Sequence, residues 1–171
     1  WKIVRIGVPS WLGELSFSTS RMVITPIVAT FGTAVVAAYG VGMQVFSFGI
    51  MALVGIGLGL SSLIGHNVGS GKKQRARRTG DQAILLGVGL LTLYGVVVFG
   101  GARLIMGLFF DTPETIEAGV TLLRIFALGF PFFGAFIMLE QIFGGVGMNV
   151  TARIVNTVQG WLLQTLPIVL M

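Results

Sequence analysis

From residue 22 to residue 71 the chain carries no Asp, Glu, Lys or Arg. A soluble fold cannot dress its surface from such a stretch, whereas about 20 predominantly apolar residues suffice for a helix to cross the roughly 30 Å hydrocarbon core of a bilayer. Further uncharged runs cover residues 82–102, 125–139 and 154–171. Only 10% of the 171 residues are charged and 54% are hydrophobic, against roughly a quarter charged in an ordinary soluble domain. Lipid offers the backbone no hydrogen-bond partner, so each run must close its own bonds as a helix. The predicted fold is therefore all-α: a polytopic transmembrane helix bundle of about five spans in one domain, residues 1–171. The 26 glycines are scattered without a strict period, which fits close helix packing in lipid.

The expected spans are residues 6–31, 34–64, 82–101, 115–143 and 154–171. Pro9 stands in the opening turn of the first, where its missing N–H costs nothing, and Pro26 is placed to kink it. Gly32 and Thr33 make a short turn into the second span, which Gly69, Ser70 and Gly71 end. A basic segment of about residues 70–81 follows, read as a connecting loop that runs into the next helix. Asp111, Thr112, Pro113 and Glu114 mark the next turn, with Pro113 at the first helical position. Pro131 falls in the middle of the fourth span. The chain opens on Trp1 and stops at Met171 within an apolar run, which reads as a fragment of something longer.

The connections set an orientation. Lys2, Arg5, Lys72, Lys73, Arg75, Arg77, Arg78 and Arg153 all fall on one side of an alternating five-helix path, while the other side holds Arg103 beside Asp111, Glu114 and Glu117. The positive-inside rule makes the basic side cytoplasmic and the protein integral to the cell (inner) membrane. The net charge of +5 is thereby accounted for as topology and contact with anionic lipid, so no nucleic-acid partner is expected. With no cysteine and one histidine, His66, neither a thiolate nor a multi-histidine metal centre can be built, and no metal or organic cofactor is expected.

Ionisable groups within spans are costly unless they face a cavity or a partner, which makes each a functional candidate. Glu14, Arg21 and Glu140 are such groups. Glu14 and Arg21 lie two turns apart on one face of the first span, with Ser10, Ser18 and Thr25 spaced by three or four along the same stripe. They stand roughly 10 Å apart along the axis, and comparable depth places Glu14 and Glu140 to share one cavity. Two readings stay open: carboxylates tuned to exchange a cation or proton, or a structural interhelical pair. Arg124 is near enough to the boundary to snorkel, with Glu117 as a possible partner. Gln44 and Ser47 serve either a ligand or helix-to-helix bonding. The series Gly55, Gly57 and Gly59 contains a GxxxG spacing and reads as a packing surface. No His cluster, Cys nucleophile or paired-aspartate motif marks an enzyme.

Several motifs then add up. Gly7-Val8-Pro9-Ser10 opens the first span, and Gly32-Thr33 is followed by Ala37-Ala38. Gly65-His66-Asn67-Val68-Gly69-Ser70-Gly71-Lys72 precedes Arg75-Ala76; Leu108-Phe109-Phe110-Asp111 and Gly145-Val146-Gly147 come later. In order and spacing the set resembles the multidrug and toxic compound extrusion (MATE) transporters, with a cytoplasmic motif formed by Gly65, His66, Asn67, Gly69, Gly71, Lys72 and Arg75. Trp161 and Pro167 favour the C-terminal half. The resemblance implies helices seven to eleven of a twelve-helix protein, so most of one six-helix half, with the remaining half as an obligatory partner. It implies antiport, with drugs or other amphipathic organic compounds leaving as sodium ions or protons enter. Ser10, Ser18, Thr25 and Gln44 would line the cavity. His66 stands where the family has Gln, Met148-Asn149 where Asp-Thr is common, and Phe133 near the place of an aspartate used by sodium-coupled members. Glu14 stands about a turn before their glutamate. A lipid-linked precursor flippase of related architecture is the alternative within transport.

Overall fold

No proline occurs between Pro26 and Pro113, so nothing covalent interrupts the backbone ladder there. Glycine would cost a helix about 1 kcal/mol in water, but in lipid every N–H and C=O must be paired within the segment, and the helix runs on through it. The computed structural model describes residues 32–147, which form three long helices: α1 (Thr33–Gly69), α2 (Lys73–Gly107) and α3 (Pro113–Val146). All three are long and apolar enough to cross a membrane. Their 37, 35 and 34 residues make each about 50–55 Å long at 1.5 Å per residue, well beyond the hydrocarbon thickness. The first and fifth expected spans lie outside the described residues.

The α1–α2 join is shorter than the basic segment of about residues 70–81, whose cationic stretch was expected to begin the next helix. Only residues 70–72 are non-helical, and the basic segment from Lys73 onward forms the first turns of α2. Helix α1 ends in a Schellman motif: the N–H of Lys72 donates to the carbonyl of Asn67 at 2.9 Å and that of Gly71 to Val68 at 3.0 Å. Gly71 takes φ +74°, the left-handed conformation this cap needs at C′. Three residues thus reverse the chain, and Gly65, His66, Asn67 and Gly69 belong to the last turns of α1. The α2–α3 join is set by Pro113 at the start of α3. Thr112 before it is extended at ψ 123°, as a residue preceding proline must be, and its hydroxyl bonds that of Thr115 at 2.8 Å.

Helix α3 is the central element. Its Leu123, Phe130 and Met138 are completely buried, and it packs against α1 in parallel and α2 in antiparallel sense. Gly42 meets Leu122 and Phe126, Gly57 meets Gln141, and Gly65 meets Gly145; on the other side Gly80 meets Ile142, Gly87 meets Gly134 and Met138, and Gly95 meets Ala127 and Phe130. The two flanking helices share one glycine pattern, at 42, 49 and 57 in α1 and at 80, 87 and 95 in α2. A seven-residue step returns to nearly the same azimuth and an eight-residue step moves on by about 80°: all three glycines of α2 face α3, whereas on α1 Gly42 and Gly57 face α3 and Gly49 faces Tyr94 of α2. The GxxxG pair Gly55 and Gly59 is not used this way. A Cβ at either position meets nothing within 4 Å among the described residues, and only Gly57 of that series is buried.

Helix α3 runs uninterrupted through Pro131. Proline has no N–H to offer the carbonyl four residues earlier, here Ala127. That carbonyl oxygen lies only 2.8 Å from where a Cβ on Gly95 would stand, so the missing side chain on α2 makes room for the released carbonyl. Tyr94 beside it donates its hydroxyl to the Val45 carbonyl at 2.7 Å, tying α2 to α1 over Gly49, against which its ring packs.

Candidate functional site

The edge between α1 and α3 combines aromatic surface with a carboxylate. Phe46 of α1 sits among three rings of α3, with centroids at 5.5 Å to Phe126, 5.7 Å to Phe130 and 5.0 Å to Phe133, the last edge-on. Tyr94 of α2 adds an edge-on contact to Phe130 at 5.2 Å. Phe130 is fully buried and forms the floor, while Phe46, Phe126 and Phe133 are half-buried. Phe126, Phe133 and Glu140 follow one another at seven-residue steps, so they lie along a single line of α3. Glu140 is also half-buried and stands six residues before the end of the helix at Val146, about 9 Å from it. Its neighbour Gln141 turns toward α1, where its Cγ fills the space over Gly57.

Helix α1 carries a second polar feature. Gln44, Gly55 and Ser62 share the azimuth opposite the buried glycines, at steps of eleven and seven residues, and all are exposed. Ser47 is exposed as well and donates its hydroxyl to the Met43 carbonyl of its own helix at 2.8 Å. Neither Gln44 nor Ser47 therefore serves as glue to α2 or α3. Met51 and Leu58, both exposed, lie within about 40° of the same line, so Gln44 and Ser62 are isolated polar groups on an otherwise apolar side of α1.

The motif from Gly65 to Arg75 is chiefly a helix end. Asn67 is buried and spends its amide on the Leu63 carbonyl at 2.9 Å. His66 is exposed and contributes its backbone carbonyl, which accepts both the N–H and the hydroxyl of Ser70. Lys72 and Arg75 project from the exposed surface. The guanidinium of Arg124 lies 5.2 Å over the Phe99 ring, a cation–π contact that sequence spacing within one helix cannot reveal. Glu14, Arg21, Ser10, Ser18 and Thr25 lie outside the described residues. The structure thus places Glu140 and Gln44 on different helix faces, and sets beside Glu140 an aromatic line that sequence reading passed over. Its signal was present in the seven-residue spacing of Phe126, Phe133 and Glu140. Among the described residues no three His, Cys, Asp or Glu side chains gather into a metal site.

Apolar helices of this length, packed through glycine grooves and bearing exposed apolar side chains such as Phe48, Met51, Leu85 and Phe132, define an integral polytopic membrane protein. The chain belongs to the MatE family, whose model matches residues 9–169. It is similar to a protein described as probable multidrug resistance protein YpnP of Bacillus subtilis, 22% identical over 95% of this chain and 36% of that protein. It is also similar to the probable multidrug resistance protein NorM of Thermotoga maritima, at 24% over 94% of this chain and 34% of that one. The multidrug export protein MepA of Staphylococcus haemolyticus is 24% identical, over 93% of this chain and 32% of its own length. The chain spans about a third of the length of these curated relatives.

Proposed function

We propose that this chain is most of the C-terminal half, helices seven to eleven, of a twelve-helix secondary antiporter that exports drugs or other amphipathic organic compounds in exchange for sodium ions or protons. Transport rather than covalent chemistry is the reading that family membership supports. The observation that carries it on this chain is the half-buried carboxylate Glu140, aligned with the half-buried rings of Phe133 and Phe126 and backed by Phe46. Rings give an amphipathic cation its apolar and cation–π contacts, and a carboxylate in such a place binds either that cation or the coupling ion. Competition between the two is the condition for exchange: each ligand shifts the carrier only by its differential affinity for the two access states. Glu14 is the leading coupling residue, with Glu140 and Arg21 sharing the cavity and Ser10, Ser18, Thr25 and Gln44 lining it. The basic end of the bundle, with Lys72, Lys73, Arg75, Arg77 and Arg78, is assigned to the cytoplasm by the positive-inside rule.

The test is drug efflux from proteoliposomes holding the intact transporter under an imposed sodium or proton gradient, which also names the ion. Glu14→Gln and Glu140→Gln should each uncouple efflux from the gradient while leaving the protein folded. Coupled efflux undiminished in both variants would remove the carboxylates from the mechanism, and a lack of any gradient-driven efflux in the parent would remove the antiporter.

A further inference from the structure

At the basic end of the bundle a groove of about 350 Å3 runs between α2 and α3, with the end of α1 beside it. Its apolar lining is Ile84, Leu139, Ile142 and Val146, joined by Ile64 and Val68. Lys73 and Arg77 stand along one wall at successive turns of α2, with Asp81 a turn further in. From Lys73 to Ile84 the wall is about 16 Å long at 1.5 Å per residue, so the groove passes from the charged surface into the apolar depth of a membrane-spanning helix pair. The volume lies within the roughly 300–1,000 Å3 typical of small-molecule sites.

We propose that this groove holds one anionic phospholipid, its phosphate between Lys73 and Arg77 and part of an acyl chain along Leu139, Ile142 and Ile84. Two independent features point to that occupant. The shape is amphipathic in the same order as a lipid, cations at the rim and aliphatic side chains below. In addition, α2 begins with Lys73, Arg75, Arg77 and Arg78 and has no acidic residue in its first turn. Cations are disfavoured at a helix N-terminus because they face the positive end of the peptide dipoles. A phosphate there relieves both the cation crowding and the dipole. Asp81 offsets one cation of the wall, which leaves the balance of residues 72–81 positive, five basic residues against one acidic. Basic pockets between membrane helices are the setting in which anionic headgroups are recognised. Membrane embedding alone is required for this site, so it stands or falls separately from transport.

The four cations at the start of α2 divide usefully. All four are exposed, but Lys73 and Arg77 line the groove, while Arg75 and Arg78 project from other sides of the same turns. Native mass spectrometry of the intact, delipidated protein titrated with dioleoyl phosphatidylglycerol or dioleoyl phosphatidylcholine reads the site directly. The expected result is preferential retention of one phosphatidylglycerol. Lys73→Gln with Arg77→Gln should weaken it about 25-fold, near fivefold for each cation removed. Arg75→Gln with Arg78→Gln should weaken it far less, and Leu139→Trp, which fills the groove without touching charge, should weaken it too. Equal loss in the two charge pairs would reduce the effect to diffuse attraction and overturn the site. Equal retention of the two lipids, an unaffected Leu139→Trp variant, or displacement of the lipid by millimolar inorganic phosphate would overturn it as well, the last by making it a phosphate-ion site.

Discussion

Gly134→Ala tests whether the glycine grooves hold the bundle together. A Cβ on Gly134 would stand 2.8 Å from the carbonyl carbon of Gly87 and 3.1 Å from Cα of Val88, and closer still to the Gly87 oxygen. All three are backbone atoms of a continuous helix, so no side chain can swing aside. Carbon contacts are comfortable at about 3.5–4.0 Å, so α2 and α3 must part by roughly 1 Å. That shift would loosen the packing of Met138 on Gly87 and of Phe130 on Gly95, since a gap of this size forfeits a quarter to a half of each dispersion well. Overpacking costs about 1–3 kcal/mol, and the higher helix propensity of alanine returns up to about 1 kcal/mol. The net expectation is a destabilisation of about 1–2 kcal/mol. Reversible unfolding of the intact protein in mixed micelles, titrated with a denaturing detergent, measures it. Gly89→Ala is the internal control, because a Cβ there meets nothing within 4 Å among the described residues; it should be neutral or stabilise by up to about 1 kcal/mol. A Gly134→Ala protein as stable as the parent, or equal losses in both variants, would refute the close-approach argument.

Gly71→Ala should destabilise the α1–α2 turn by about 1–2 kcal/mol, because φ +74° forces Cβ toward the following carbonyl. Gly71→Asn should cost less, asparagine tolerating this conformation, and identical unfolding of parent and both variants would argue against the Schellman turn. Tyr94→Phe removes the 2.7 Å bond to the Val45 carbonyl while keeping the ring against Phe130. Interhelical bonds in membrane proteins are worth about 0.6 kcal/mol on average and at most about 1.7, so a loss of that size is expected in the same titration, and no loss would show that the ring alone ties α2 to α1.

The chain's character as a bundle of membrane helices was fixed before any contact formed, since uncharged runs such as residues 22–71 leave lipid as the only solvent and lipid leaves the helix as the only solution. Local chemistry also marked where the described helices turn: Gly69-Ser70-Gly71 and Thr112-Pro113 carry their conformations in their covalent structure. The choice of partner surfaces was not legible in this way. Gly55 and Gly59 look like a packing pair by spacing, yet the packing falls on Gly42, Gly49 and Gly57, because a glycine matters only where a neighbouring helix approaches it, here with the side chains of Leu122, Tyr94 and Gln141. Glu140 was marked by the cost of a carboxylate within a span, but the line it forms with Phe133 and Phe126, and the ring of Phe46 behind them, exist only once α1 lies parallel to α3. The same holds for the groove beside Lys73 and Arg77. Sequence placed cations at the head of α2, and only the antiparallel seating of α3 supplied the aliphatic wall opposite them.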